Sequence, residues 1–140
     1  MKKQLTFKDW KAKYYPVEAR EVPKKEAIQH SLTKWLGLRP KTLAKYGLEA
    51  DGIGLYGIGT NKSLFYVDAS NCALCYHYWD ARDNVDVSPC RRCPLYKVRG
   101  ASCDSELLGE KRSPCKSFAR EPYTPEPMIK LLRQAARKAK

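Results

Sequence analysis

Cys72-Ala73-Leu74-Cys75 and Cys90-Arg91-Arg92-Cys93 repeat one short pattern, and how they are read decides the fold. Two residues between cysteines let the backbone curl until both sulfurs face one point. Two such turns supply four thiolates, the donor set of a tetrahedral structural zinc site with Zn–S distances of about 2.3 Å. One pair alone would suit a redox dithiol, and a disulfide framework would need an oxidising compartment. An iron–sulfur cluster and plain buried thiols are the other readings. Met1-Lys2-Lys3-Gln4 leads into a mixed, charged segment without an apolar run of signal-peptide length, so the expected location is a reducing cytosol.

The expected ligand set is Cys72, Cys75, Cys90 and Cys93 around one Zn2+, with Cys103 as the alternate ligand. Six thiols are too many for one zinc and too few for two independent four-cysteine sites. Cys103 and Cys115 could join His77 in a second, mixed site, although His77 reads first as a packed imidazole. With four thiolate ligands the metal keeps no open position for water, which makes its role structural. Binding of a structural zinc carries on the order of 10 kcal/mol, comparable to the whole stability of a small domain.

Outward from the first pair, Gly52 to Val67 reads as a β-hairpin. Ile53, Leu55, Tyr56 and Ile58 form one run, Leu64-Phe65-Tyr66-Val67 the other, and Thr60-Asn61-Lys62-Ser63 is a polar link of hairpin size. Further back, Thr6 to Asp9 has the form of a capping box opening a short helix through Trp10 that Pro16 ends. Pro23 starts a second helix running to about Leu36. An apolar arc of about 100° through Ile28, Leu32, Trp35 and Leu36 is expected to face inward, with His30 on the solvent side. Gly37 suits its C-terminal cap, Pro40 opens a further short helix with Leu43 and Tyr46 inward, and Gly47 stops it. After Cys103, residues 106–108 suit a helical turn. Thr124 can cap a last helix whose Met128, Ile129, Leu132, Ala135 and Ala136 share one arc while Lys130, Arg133, Arg137 and Lys140 share another.

The expected architecture is α+β: a small zinc-stabilised domain with N-terminal helices, a hairpin leading into two knuckles, and a basic amphipathic C-terminal helix. Within one compact domain, residues 1–50 form a basic helical part, 51–104 the cysteine-rich core, and 105–140 a helical end. The net charge of +12 follows the same division. Residues 1–50 carry 12 basic and 5 acidic side chains, 51–104 carry 6 of each, and 105–140 carry 9 against 4. Arg91, Arg92, Lys97 and Arg99 nevertheless make the second pair a cationic spot, and the last helix adds a cationic ridge. Clustered Lys and Arg favour phosphate chiefly by releasing counterions. No apolar run approaches the ~18 residues of a membrane span.

Catalytic residues are scarce. A histidine-based zinc nuclease is poorly served by His30 and His77 alone, and Pro89-Cys90-Arg91-Arg92-Cys93 matches half of a deaminase signature whose His-x-Glu step is missing. Asp80, Asp83 and Asp86 lack the glycine and terminal glutamate of a calcium loop. No phosphate-cradling glycine loop precedes a helix.

Lys34-Trp35-Leu36-Gly37-Leu38, the two cysteine pairs, Cys93-Pro94-Leu95-Tyr96, Gly100 with Cys103, and Pro127-Met128-Ile129 resemble, in that order, a group of small cysteine-rich, zinc-knuckle-like bacteriophage proteins of mostly unassigned function. The likeness spans roughly residues 30–132. In that pattern a Ser-Pro-Tyr step follows the fifth cysteine, whereas Ser113-Pro114 is here followed by Cys115, either an added ligand or a buried thiol. The resemblance implies a phage origin, hence the bacterial host cytosol, and a zinc knuckle; it implies no reaction. The expectation is a non-enzymatic zinc-binding protein that contacts nucleic acid through basic surfaces. The alternative is one that binds and modulates a host protein or defence complex, as anti-restriction or anti-CRISPR inhibitors do, through Tyr14, Tyr15, Tyr76, Tyr78, Trp79 and Tyr96.

Overall fold

The computed structural model describes residues 5–51, 54–60, 62–67, 71–78, 92–101, 113–114 and 124–139. Among them, six α-helices and a three-stranded antiparallel sheet give a mixed α+β architecture. The helices are α1 (Phe7–Tyr14), α2 (Ala27–Leu36), α3 (Pro40–Lys45), α4 (Ala73–Tyr78), α5 (Pro94–Arg99) and α6 (Glu126–Lys138). Short 3-10 turns at Ala19–Glu21 and Lys24–Glu26 link α1 to α2.

Helix α1 starts where its capping box places it. The Thr6 side chain accepts the Asp9 amide, and the Asp9 carboxylate accepts the Thr6 amide at 2.8 Å, which satisfies two amides the helix leaves open. Trp10 from this helix is fully buried, stacks on Phe7 and meets Phe65 edge-on. Its indole N–H donates to the Gly37 carbonyl at 2.8 Å, so the end of α2 is tied to α1. Gly37 does cap α2, but with φ −75° it needs no left-handed freedom. What it supplies is space: a Cβ there would lie 2.4 Å from Cγ of Tyr14.

The buried face of α2 differs from the expected arc. Ala27, Ser31, Lys34 and Trp35 are buried, while Ile28, Leu32 and Leu36 are only half-buried. The helix is rotated because Lys34 has an internal partner, described below, and because both α4 and α6 pack against it. His30 also departs from expectation. It is half-buried, packs edge-on against Tyr15 and meets the Val17 carbonyl at 2.6 Å through Nε2.

Helix α3 begins at Pro40, buries Leu43, and is followed by buried Tyr46 and by Gly47 at φ 69°, a conformation that glycine adopts without strain. The expected hairpin is present as β2 (Gly54–Gly57) and β3 (Ser63–Tyr66), and a further strand, β1 (Leu48–Asp51), pairs with β2 on its other side. Leu55 lies opposite Phe65, both buried, and a register shift follows so that Tyr56 faces Ser63. The outer face carries exposed Leu64 and Tyr66. Buried residues from every helix and strand, including Trp10, Leu43, Leu55, Leu74, Leu95 and Ile129, join in one core. No helix among the described residues is long and apolar enough to cross a membrane.

Candidate metal centre and basic surface

The first cysteine pair sits at the start of α4. Cys72 directly precedes the helix and Cys75 lies in its first turn, a placement that buries Ala73 and Leu74 against the core and leaves both thiols half-buried. The Cys75 amide points at the Cys72 sulfur, N to Sγ 3.4 Å, as expected of a turn that gathers two sulfurs. The Cys72 thiol is pulled down to about 5. A hydrogen bond from the Cys75 thiol is the main cause and burial works against it; the Lys34 ammonium and the amides of Cys75 and Leu74 complete the shift. Cys72 is therefore a thiolate at neutral pH, the form that binds metal.

Lys34 is the supporting residue that sequence periodicity did not single out. Only 2% exposed, it donates from Nζ to the Asn71 carbonyl at 2.7 Å, immediately before Cys72. A buried ammonium is costly unless a hydrogen-bond acceptor and a negative charge compensate it, and Asn71 and the Cys72 thiolate provide both. Asn71 is itself held on two further sides. Its side-chain oxygen accepts the Tyr15 hydroxyl at 3.1 Å, and its amide donates to the Tyr66 carbonyl at 2.7 Å. The Tyr15 hydroxyl in turn accepts the Ala19 amide at 3.0 Å. Tyr15 at the end of α1, Lys34 of α2 and Tyr66 of β3 thus fix the entry to the first pair. Helical periodicity gives no signal for this role, since at 100° per residue Lys34 falls about 40° from His30, on the side expected to face solvent.

Cys93 precedes Pro94 at the start of α5, where Pro fits because the first-turn amides lack helical partners. The charge of Cys93 helps raise the Tyr78 hydroxyl, after burial as the larger cause, so Cys93 approaches the end of α4. Helix α5 buries Leu95, packs on α6, and ends at Gly100 with φ 81°. Cys72 and Cys75 converge, but among the described residues no three Cys, His, Asp or Glu side chains form a metal-holding group. Cys90, the alternate ligand Cys103, and Cys115 lie outside the described residues, as do the loop carboxylates Asp80, Asp83 and Asp86. His77 directs Nε2 at the Val22 carbonyl, the packed imidazole read from the sequence. The donor chemistry of the first pair suits zinc: two adjacent sulfurs, one already anionic, at a rigidly held turn.

The basic residues divide by element. On α6, Met128, Ile129, Leu131, Leu132 and Ala135 are buried, while Lys130, Arg133, Arg137 and Lys138 are exposed. Thr124 accepts the Glu126 amide at 3.3 Å, and Glu126 is clamped by Arg39 through Nε–Oε1 2.7 Å and a second bond of 3.3 Å. On α5, Lys97 is exposed and Arg99 half-buried, with exposed Arg92 just before the helix. Arg91 and Lys140 lie outside the described residues. Of the aromatics read as contact candidates, Tyr15 is buried and so serves the interior, Tyr14, Tyr78 and Tyr96 are half-buried, Tyr76 is exposed, and Trp79 lies outside the described residues.

No protein-family model, no curated protein and no solved structure matches the chain.

Proposed function

We propose that this is a non-enzymatic, zinc-binding protein of phage type that contacts nucleic acid through its basic surfaces. Zinc held by Cys72, Cys75, Cys90 and Cys93 would cross-link the start of α4 to the segment entering α5 and supply no reactive chemistry. The observation that carries the nucleic-acid reading is α6. Its apolar face is locked into the core, so Lys130, Arg133 and Arg137 stand out from a rigid element, and the α5 that packs beside it adds Lys97. Cations held in place this way gain affinity for a polyanion by releasing its counterions.

Two measurements test the reading. Metal analysis of the purified protein should return one zinc per chain; zero removes the zinc site, and two would bring Cys103 and Cys115 into a second one. Fluorescence anisotropy with random-sequence nucleic acid should show binding at low salt that weakens steeply as salt is added, and undetectable binding would remove the nucleic-acid reading.

One observation favours a second reading, a phage protein that covers a host protein surface: Ile58, Leu64 and Tyr66 stand exposed on and beside the hairpin at 59%, 38% and 52%. A pull-down from host lysate that survives nuclease treatment would favour it over nucleic-acid tethering.

A further inference from the structure

We infer that the partner of the α5–α6 surface is a duplex, gripped along its phosphate backbone without reading of the bases, an inference that rests on the nucleic-acid reading above. Lys130, Arg133 and Arg137 fall within about 60° of the helix circumference, with Gln134 beside them, opposite the buried stripe. From Lys130 to Arg137 the row rises about 10.5 Å, over which one strand of a duplex advances by about three phosphates. Lys138, about 100° round the helix from Arg137, stands beside the row at the helix end, and α5, which packs on α6, adds exposed Lys97. The acid at the start of the helix, Glu126, is engaged by Arg39 and leaves the row cationic.

Among the described residues, the same surface lacks what a single strand requires. Proteins that hold single strands without sequence preference combine positive charge with aromatic rings on which successive bases stack, and stacking compensates for ordering a flexible chain. Helix α6 carries no aromatic residue, and the one aromatic of α5, Tyr96, is half-buried. The exposed rings Tyr66 and Tyr76 belong to β3 and α4. A duplex presents its charges already ordered, at about one per 1.7 Å of axis, and a fixed row of cations meets them with little to organise.

Anisotropy titrations of the full-length protein against a duplex DNA, a duplex RNA and single strands of the same sequences test the inference. At least tenfold tighter binding of one duplex form over its own single strands is expected, and the tighter of the two duplexes identifies the source of the backbone. With five cations engaged, log K should fall with log salt at a slope of about −4.5, roughly a 500-fold loss between 50 and 200 mM. The surface variant Arg133→Gln/Arg137→Gln, shown to be folded by circular dichroism, should reduce that slope to about −2.7. Equal or tighter binding to single strands overturns the inference while leaving the nucleic-acid reading intact, and an unchanged slope in the variant places the contact elsewhere. Absence of binding to every probe at low salt overturns both.

Discussion

Replacing Lys34 by methionine keeps most of the side-chain volume and removes one buried charge. The ammonium lies 2.7 Å from the carbonyl that precedes Cys72, and covalent reach from that oxygen keeps the sulfur within about 8 Å, so about 7 Å serves for the magnitude. At an effective dielectric of about 20, a unit charge at that distance is worth about 2.4 kcal/mol to a thiolate. The Lys34→Met change should therefore raise the Cys72 thiol from about 5 by roughly 1.7 pH units. It should also weaken zinc binding about 50-fold, because a four-thiolate zinc site carries excess negative charge that protonation cannot relieve while metal is bound. Lys34→Gln separates the two roles of the side chain, since the amide can still donate to Asn71 but brings no charge. Competition against a chromophoric chelator measures the affinity, and alkylation of Cys72 in metal-free protein, followed by mass spectrometry across pH, measures the thiol. If Lys34→Met leaves both the zinc affinity and the alkylation profile unchanged, or if Lys34→Gln restores them fully, the charge argument fails.

Acid should destabilise the metal-free protein. The Cys72 thiol is lower in the folded chain, at about 5, than its ordinary 9.0, so between these values the unfolded chain holds more protons and stability rises with pH. That contribution is lost as pH falls through about 5, with a slope of at most about 1.4 kcal/mol per pH unit in the window. His30, pushed down chiefly by burial, erodes stability in the same direction below its ordinary 6.5. Urea midpoints from pH 5 to 8 should rise accordingly, and a Cys72→Ser variant that keeps the full dependence would refute the assignment. Gly37→Ala should cost about 1–3 kcal/mol by driving a methyl into the Tyr14 ring, with no backbone strain to share the blame. Adding Tyr14→Ala should recover part of that loss in a double-mutant cycle, whereas strictly additive costs would mean the contact is not the cause. Thr6→Ala should lower thermal stability by about 1 kcal/mol, and an unchanged melting temperature would show that the capping box contributes nothing.

Boundaries are legible in the sequence where the physics is local. Thr6 with Asp9, Pro40, Gly47 and the polar link Thr60-Asn61-Lys62-Ser63 each act within a few residues; the first three mark real boundaries, and the link runs one residue into β3, which starts at Ser63. The long stripe on α6 is legible because hydrophobic periodicity over thirteen residues leaves little choice of face. Strand β1 escaped because Leu48-Glu49-Ala50-Asp51 has weak strand propensity of its own and is held by pairing with β2. The face of α2 was misjudged for a tertiary reason: a lysine and a serine are buried there, and periodicity assigns both to solvent. The cysteine pattern announces a thiolate turn, but the Asn71, Tyr15 and Lys34 contacts that prepare it span up to 56 residues and leave no local mark.

Asn71 also sets a length. Its side chain reaches back to the Tyr66 carbonyl while its own carbonyl receives Lys34, so the connection between the hairpin and the first cysteine is held at both ends. An inserted residue between positions 66 and 71 adds only a small loop-closure cost while both ties are kept. A deletion would pull Cys72 out of register with Lys34. The span from Tyr66 to Cys72 therefore works as a lower limit on length, more tolerant of lengthening than of shortening in any variant that retains the thiolate turn.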